Sequence, residues 1–344
     1  MNPKHKYFLK CNEHDHNISG NSKSIGELIE KIIKVSQTDA TVFIYGETGS
    51  GKELVAESIH FKSERRSQKL VKINCVAYND ELLESEFFGH EKGSFTGATN
   101  SKHGVFEEAN NGTLFIDEIG NMSLKLQIKL LRAIQFKTIR KVGSNKDIKI
   151  NVRLLTATNK NITSLVKHKM FLEELYYRLI IYPIYVPSLK ERKEDIVDIA
   201  RYFLNLIKKR ITNSVVDFSE HAIKKMVDYD WPGNVRELEN KIEYALINAI
   251  DTGKKIIEWE DLKNDLHYAP EHFDHSSSLK KFIDEIYNKN LTVEDVCYNF
   301  RQMLLNEIIF KENHDSKKIA SILKISHSKI YSYLKERGTG IKKP

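Results

Sequence analysis

Four short runs set the pattern of this chain. TVFIYG (41–46), KLVKINC (69–75), GTLFIDE (112–118) and NVRLLTATN (151–159) are apolar and β-branched, and turn or polar residues close each one. They predict strands. Between them the apolar period lengthens to that of helices, as in SLKLQIKLLRAIQ (123–135). Strands alternating with helices predict an α/β fold, with a largely parallel sheet covered on both faces. After VPSLKERKEDI (186–196) the strand signal fades, and residues 196–265 read as helices only. HYAPEHFDHSSSLKK (267–281) reads as a polar linker. The expected organisation is a loose arm at 1–20, an α/β unit at 21–195 and a helical subdomain at 196–265. A linker at 266–292 and a last helical unit at 293–344 follow.

Composition narrows the class. The 344 residues are 40% hydrophobic and 29% charged, as expected of a globular protein with a real core. No apolar run approaches the ~18 residues of a membrane span, and the N-terminus has no apolar segment of a secretory signal. Cys11, Cys75 and Cys297 form no paired motif, which argues against disulfides or zinc and fits a reducing cytoplasm. The formal charge of +7 suits a nucleic-acid partner and equally a solvated surface.

GETGSGKE (46–53) carries candidate chemistry. It lies between the apolar strand TVFIY and the helical ELVAESIHF, the context a phosphate-binding loop requires. Gly46, Gly49 and Gly51 let backbone N–H groups of Glu47, Thr48 and Ser50 turn toward an anion at a helix N-terminus. Lys52 would reach the β- and γ-phosphates of ATP, and Glu53 stands where the general pattern has a magnesium-binding Ser or Thr. Asp117 and Glu118 end a buried strand, which is costly unless they meet a cation. Asp117 would hold Mg²⁺, and Glu118 would activate the attacking water. GHEKGSFTGATN (89–100) reads as a glycine-hinged loop around Phe95, either an anchor for a partner or a residue packed into the core.

LLESEFFGHEKGSFTGA (82–98), GTLFIDEIG (112–120), VRLLTATN (152–159), LYYRL (175–179), VPSLKERKEDI (186–196) and WPGNVREL (231–238) together resemble the motifs of sigma-54-dependent transcriptional activators, bacterial enhancer-binding proteins of the AAA+ class. The resemblance runs from about Ile18 to about Asn264. It implies a AAA+ P-loop ATPase with a helical lid, and GKE is this family's own loop ending. The family's GAFTGA loop contacts sigma-54; here Gly93, Ser94, Phe95, Thr96, Gly97 and Ala98 stand there, with serine for the first alanine. By resemblance Asn74 would pair with Glu118, Thr158 and Asn159 would form the first sensor, Arg236 the second, and Ile18–Gly20 would begin the adenine pocket. The family's usual first trans arginine is Leu172 here, so Arg178 is the expected finger, with Lys169 nearby.

SKKIASIL (316–323), the turn KIS and HSKIYSYLKERG (327–338) read as a helix-turn-helix. It resembles the Fis-type DNA-binding unit of the family. His327, Ser328, Lys329 and Ser332 would meet the major groove; Lys317, Lys318, Lys335 and Arg337 would meet phosphates. The expected function is an ATP-driven activator that binds enhancer DNA, forms a hexameric ring and remodels sigma-54 RNA polymerase holoenzyme. A DNA-binding regulator acting without sigma-54, such as a repressor, is the alternative; a AAA+ unfoldase fits less well. Only about 20 residues precede the ATPase unit, too few for a receiver domain. Control by a trans-acting regulatory protein, or by expression level, is therefore expected.

Overall fold

A computed structural model describes residues 6–10, 17–94, 100–209, 215 and 217–263, which fall within the unit Met1–Asn264. Phe95, Thr96, Gly97 and Ala98, the linker, and the C-terminal unit with its expected DNA contacts lie outside the described residues.

Two strands, β1 (Tyr7–Lys10) and β2 (Asn17–Gly20), precede helix α1 (Lys23–Ser36). The central sheet has five parallel strands: β3 (Val42–Tyr45), β4 (Leu70–Asn74), β5 (Thr113–Asp117), β8 (Arg153–Thr158) and β9 (Tyr182–Tyr185). Their order is β4-β5-β8-β3-β9. Between β5 and β8 the short strands β6 (Thr138–Ile139) and β7 (Ile148–Lys149) form a hairpin. The crossovers carry α2 (Lys52–Phe61), α3 (Asp80–Phe88), α4 (Val105–Glu108), α5 (Leu124–Phe136), α6 (Ile162–Lys167) and α7 (Glu173–Leu179).

Alternation along the strands decides which residue meets which helix layer. Val42, Ile44, Phe115, Leu155 and Ala157 pack with α1 and α2 in one core. Phe43, Leu114, Ile116 and Leu154, one residue out of phase, pack with α3, α5 and α7 in a second core. Each central strand is thus apolar on both faces, and for that reason it reads as a continuous apolar run.

A third core belongs to the lid, built from α8 (Ile196–Lys208), α9 (Glu220–Asp228) and α10 (Asn234–Thr252) around Trp231. The expectation of helices only is corrected here: β10 (Asp217–Phe218) and β11 (Ile256–Ile257) form a two-residue parallel pair. Such pairs are too short to leave an alternating signal.

The loose N-terminal arm is also corrected. Strands β1 and β2 form an antiparallel hairpin, with Leu9 and Ile18 buried against the α1–α2 core. The Tyr7 ring lies where a Cβ on Gly26 would come within 2.6 Å, so that glycine seats the hairpin on α1. An isolated two-stranded hairpin is marginal in water; this one depends on the helix beneath it, and no local pattern encodes that support.

Candidate nucleotide site

The carboxyl ends of β3, β4, β5 and β8 meet at one edge of the sheet. In an open parallel sheet this is where a ligand binds, at the point where strand order reverses. Register makes the meeting concrete: Asn74 lies opposite Asp117, and Tyr45 lies opposite Thr158.

The loop after β3 closes against the start of α2. Gly49 (φ +74°) and Gly51 (φ +104°) hold left-handed backbone that a side chain would strain. Gly51 serves as N-cap of α2. The buried Lys52 ammonium donates to the Gly46 carbonyl (3.0 Å) and the Glu47 carbonyl (3.1 Å), and stands 3.9 Å from Glu118 Oε1. Burial pushes its pKa down, while the Glu118 and Asp117 charges oppose that shift. Asp117 is pushed above the usual carboxylate range, first by burial and then by the like charge of Glu118. Two carboxylates and one buried ammonium thus lie close together, with backbone carbonyls accepting from the lysine.

Glu118 sits in the left-handed region (φ +52°), which turns the chain sharply out of β5. Its Oε2 accepts from the Asn159 backbone N–H (3.3 Å), and the Asn159 amide donates to Thr48 Oγ1 (2.8 Å). Asn159 therefore links the phosphate loop to Glu118. Thr158, expected beside it in the first sensor, touches the phosphate loop through its backbone carbonyl, which accepts from Gly46 N (3.4 Å). Its buried hydroxyl accepts from Lys160 N (3.0 Å), because the last residue of β8 points into the sheet's packing.

One further expectation is corrected. Asn74 was expected to pair with Glu118; its amide instead donates to Asp117 Oδ2 (3.4 Å), and its oxygen accepts from Val76 N (2.8 Å). Strand register sets Asn74 beside Asp117, whereas Glu118 has turned away. Glu53 lies near enough to Asp117 for its charge to help raise the Asp117 pKa. It pairs with Lys72 of β4 (2.9 Å), which also pairs with Glu57 one turn along α2.

Arg236, the expected second sensor, lies in the first turn of α10. A Cβ on Gly49 would come within 3.2 Å of its Cβ, and its charge lowers the Lys52 pKa. Arg178 is exposed on the last turn of α7. Leu172 is half-buried against the α5–α7 core, and Lys169 holds a left-handed turn (φ +58°) just before it.

On the other side of the loop a cleft is lined by Ile18, Ser19, Ser50, Arg192, Tyr202 and Val235. Ile18 and Ser19 of the adenine-pocket expectation are there, while Gly20 abuts Asp195. Sequence reading missed Arg192. Its guanidinium, pushed by burial down to about 10, donates to the Ser50 carbonyl (3.2 Å), and its Nε is buried without a partner. Asp195, fully buried, accepts from Asn21 N (2.6 Å) and Ser22 N (2.9 Å), and so caps α1 from the lid side. The signal was present in the charged run KERKED, but charged runs usually mark solvated faces.

The stem of the 89–100 loop is held from both sides. His90 and Lys102 exchange backbone bonds (3.2 and 2.9 Å), and Glu91 N donates to the Val142 carbonyl (3.0 Å). Gly93 has φ +81°; Ser94 packs on Gly143, where a Cβ would come within 2.6 Å, and its hydroxyl is buried without a partner.

This fold and this site define a AAA+ P-loop ATPase. Residues 18–185 match the Sigma-54 interaction domain, and residues 190–279 match the AAA+ ATPase lid domain. The nitrogen fixation protein AnfA of Azotobacter vinelandii is 46% identical over 246 residues, 72% of this chain and 46% of AnfA. The transcriptional regulatory protein ZraR of Escherichia coli K12 is 47% identical over 241 residues, 70% of this chain and 54% of ZraR. The chain spans about half the length of these curated relatives. NtrX from Brucella abortus, solved in complex with ADP, superposes with a TM-score of 0.68 at 27% identity, covering 93% of this chain and 68% of NtrX. The chain belongs to the family of sigma-54-dependent activators.

Proposed function

We propose that the protein is an ATP-driven transcription activator. ATP lies with its phosphates in the 46–53 loop and its base in the cleft lined by Ile18 and Arg192. Magnesium is ordinarily held by one or two carboxylates plus phosphate oxygens. Asp117, half-buried and crowded by the charge of Glu118, is a donor that a divalent cation would relieve. Glu118 takes the proton of the attacking water, and Asn159 senses the γ-phosphate. Arg178, exposed and free of the local core, serves the site of the next subunit in a hexameric ring. Hydrolysis moves the Gly93–Ala98 loop, which pushes on sigma-54 in the polymerase holoenzyme. The C-terminal unit, through Lys317, Lys318, His327, Ser328, Lys329, Ser332 and Lys335, holds enhancer DNA. A trans-acting protein controls the ring, and the protein works in the cytoplasm; among the described residues no helix is long and apolar enough to cross a membrane.

The observation that carries this reading is the convergence of Lys52, Asp117, Glu118 and Asn159 at one sheet edge. Promoter opening at a sigma-54 promoter, with purified polymerase and ATP, tests it against Phe95→Ala. ATP-dependent opening that is lost in the variant supports it. Absence of opening by the wild type, with ATP hydrolysis and DNA binding intact, moves the protein to a regulator acting without sigma-54. Leu172, packed where the family has an arginine, favours that second reading.

A further inference from the structure

Asn234 is fully buried at the first position of α10, in the left-handed region at φ +53°. Asparagine tolerates that conformation better than most residues. Its side chain bonds to two separate segments. The amide donates to Glu47 Oε2 (2.9 Å) and to the Thr48 carbonyl (3.1 Å), both in the phosphate loop. The oxygen accepts from Leu189 N (2.8 Å), in the 189–195 turn that leads into the lid. Around it the backbones touch directly: Val235 N donates to the Gly49 carbonyl (3.1 Å), and a Cβ on Gly49 would come within 2.2 Å of the Gly233 carbonyl.

We propose that Asn234 is the positioning residue that fixes the lid to the phosphate loop, so that a nucleotide held by the loop also fixes the start of α10. The inference rests on the loop binding ATP. An amide suits the task where an acid does not. Both donors and the acceptor are used, and a carboxylate would face the Glu47 carboxylate and the Thr48 carbonyl with nothing to donate. Arg236 lies two residues further along α10, so whatever orients Asn234 also orients that guanidinium.

The test uses the full chain. Hydrogen–deuterium exchange is followed across 231–240 with saturating ATP and without nucleotide, saturation being checked by ATP titration of each variant. In the wild type ATP slows exchange of the Val235 amide. Asn234→Asp is expected to lose at least tenfold of that slowing and to weaken ATP binding about tenfold, and Asn234→Gly, which keeps the backbone, is expected to share the loss. Glu47→Ala, at an exposed position that does not threaten folding, is expected to lose about fivefold, as for one hydrogen bond. Glu47→Gln combined with Asn234→Asp restores a donor–acceptor pair of reversed polarity and should regain part of the protection. Wild-type slowing in Asn234→Gly or Glu47→Ala, or no gain in the double variant, would overturn the proposal. Arg236→Ala separates it from the sensor reading. Unchanged preference for ATP over ADP there removes Arg236 as a γ-phosphate sensor while the exchange result for Asn234 still stands.

Discussion

Gly49 and Gly51 share one loop and one backbone region, yet the structure assigns them different costs. An alanine at either position must hold φ at +74° or +104°. Left-handed backbone costs a non-glycine residue about 1–2 kcal/mol. At Gly51 nothing lies within 4 Å of the added Cβ, so strain is the whole cost to the nucleotide-free protein. At Gly49 the Cβ meets the Gly233 carbonyl at 2.2 Å and Arg236 Cβ at 3.2 Å. Overpacking of that kind costs about 1–3 kcal/mol. Displacing Gly233 also strains the Val235 N–Gly49 carbonyl bond, worth about 1 kcal/mol. Gly49→Ala should therefore cost about 3–6 kcal/mol and Gly51→Ala about 1–2. At about 2–4 °C per kcal/mol for a unit of this size, thermal unfolding of nucleotide-free protein should separate them by at least ~4 °C. If the lid undocks before the rest unfolds, the same difference appears as faster exchange at the start of α10 in Gly49→Ala alone. Equal melting shifts together with equal exchange would refute the reasoning, since both variants carry the same backbone strain.

Glu118→Gln should leave ATP binding in place and cut hydrolysis by about 10²-fold or more, the usual worth of a general base; steady-state phosphate release checks it. Arg178→Ala should abolish the concentration-dependent part of ATP hydrolysis while leaving single-site nucleotide affinity unchanged, which a protein-concentration series with ATP titration reads. His60 is buried, bonded through Nδ1 to Thr113 Oγ1 (2.9 Å), and burial holds its pKa below the ordinary 6.5. The unfolded chain then binds the extra proton first as pH falls below about 6.5, so His60 stability is present above that pH and is lost below it. His60→Gln should flatten the fall of melting temperature between pH 7 and pH 5 relative to wild type. An unchanged or steeper slope would count against it.

Local pattern was enough for a good part of this molecule. Strands of the central sheet are apolar on both faces, so Val42–Tyr45 and Thr113–Asp117 announce themselves without any knowledge of their neighbours. The phosphate loop is similarly legible, since Gly49, Gly51 and Lys52 act within a few residues of one another. What the chain could not declare locally is who faces whom across the fold. Asn74 meets Asp117 because β4 and β5 pair in one register, and Glu118 turns away through a single left-handed residue. Thr158 and Asn159 are adjacent in sequence, yet one points into the sheet and the other across the site. Arg192 stands in a charged run and Asn234 is one letter of the motif WPGNVREL, yet tertiary packing buries both against the phosphate loop. A side chain's chemistry is local, but its partner is chosen by packing between segments as far apart as the loop at 47 and the lid at 234. Only the assembled layers decide that choice.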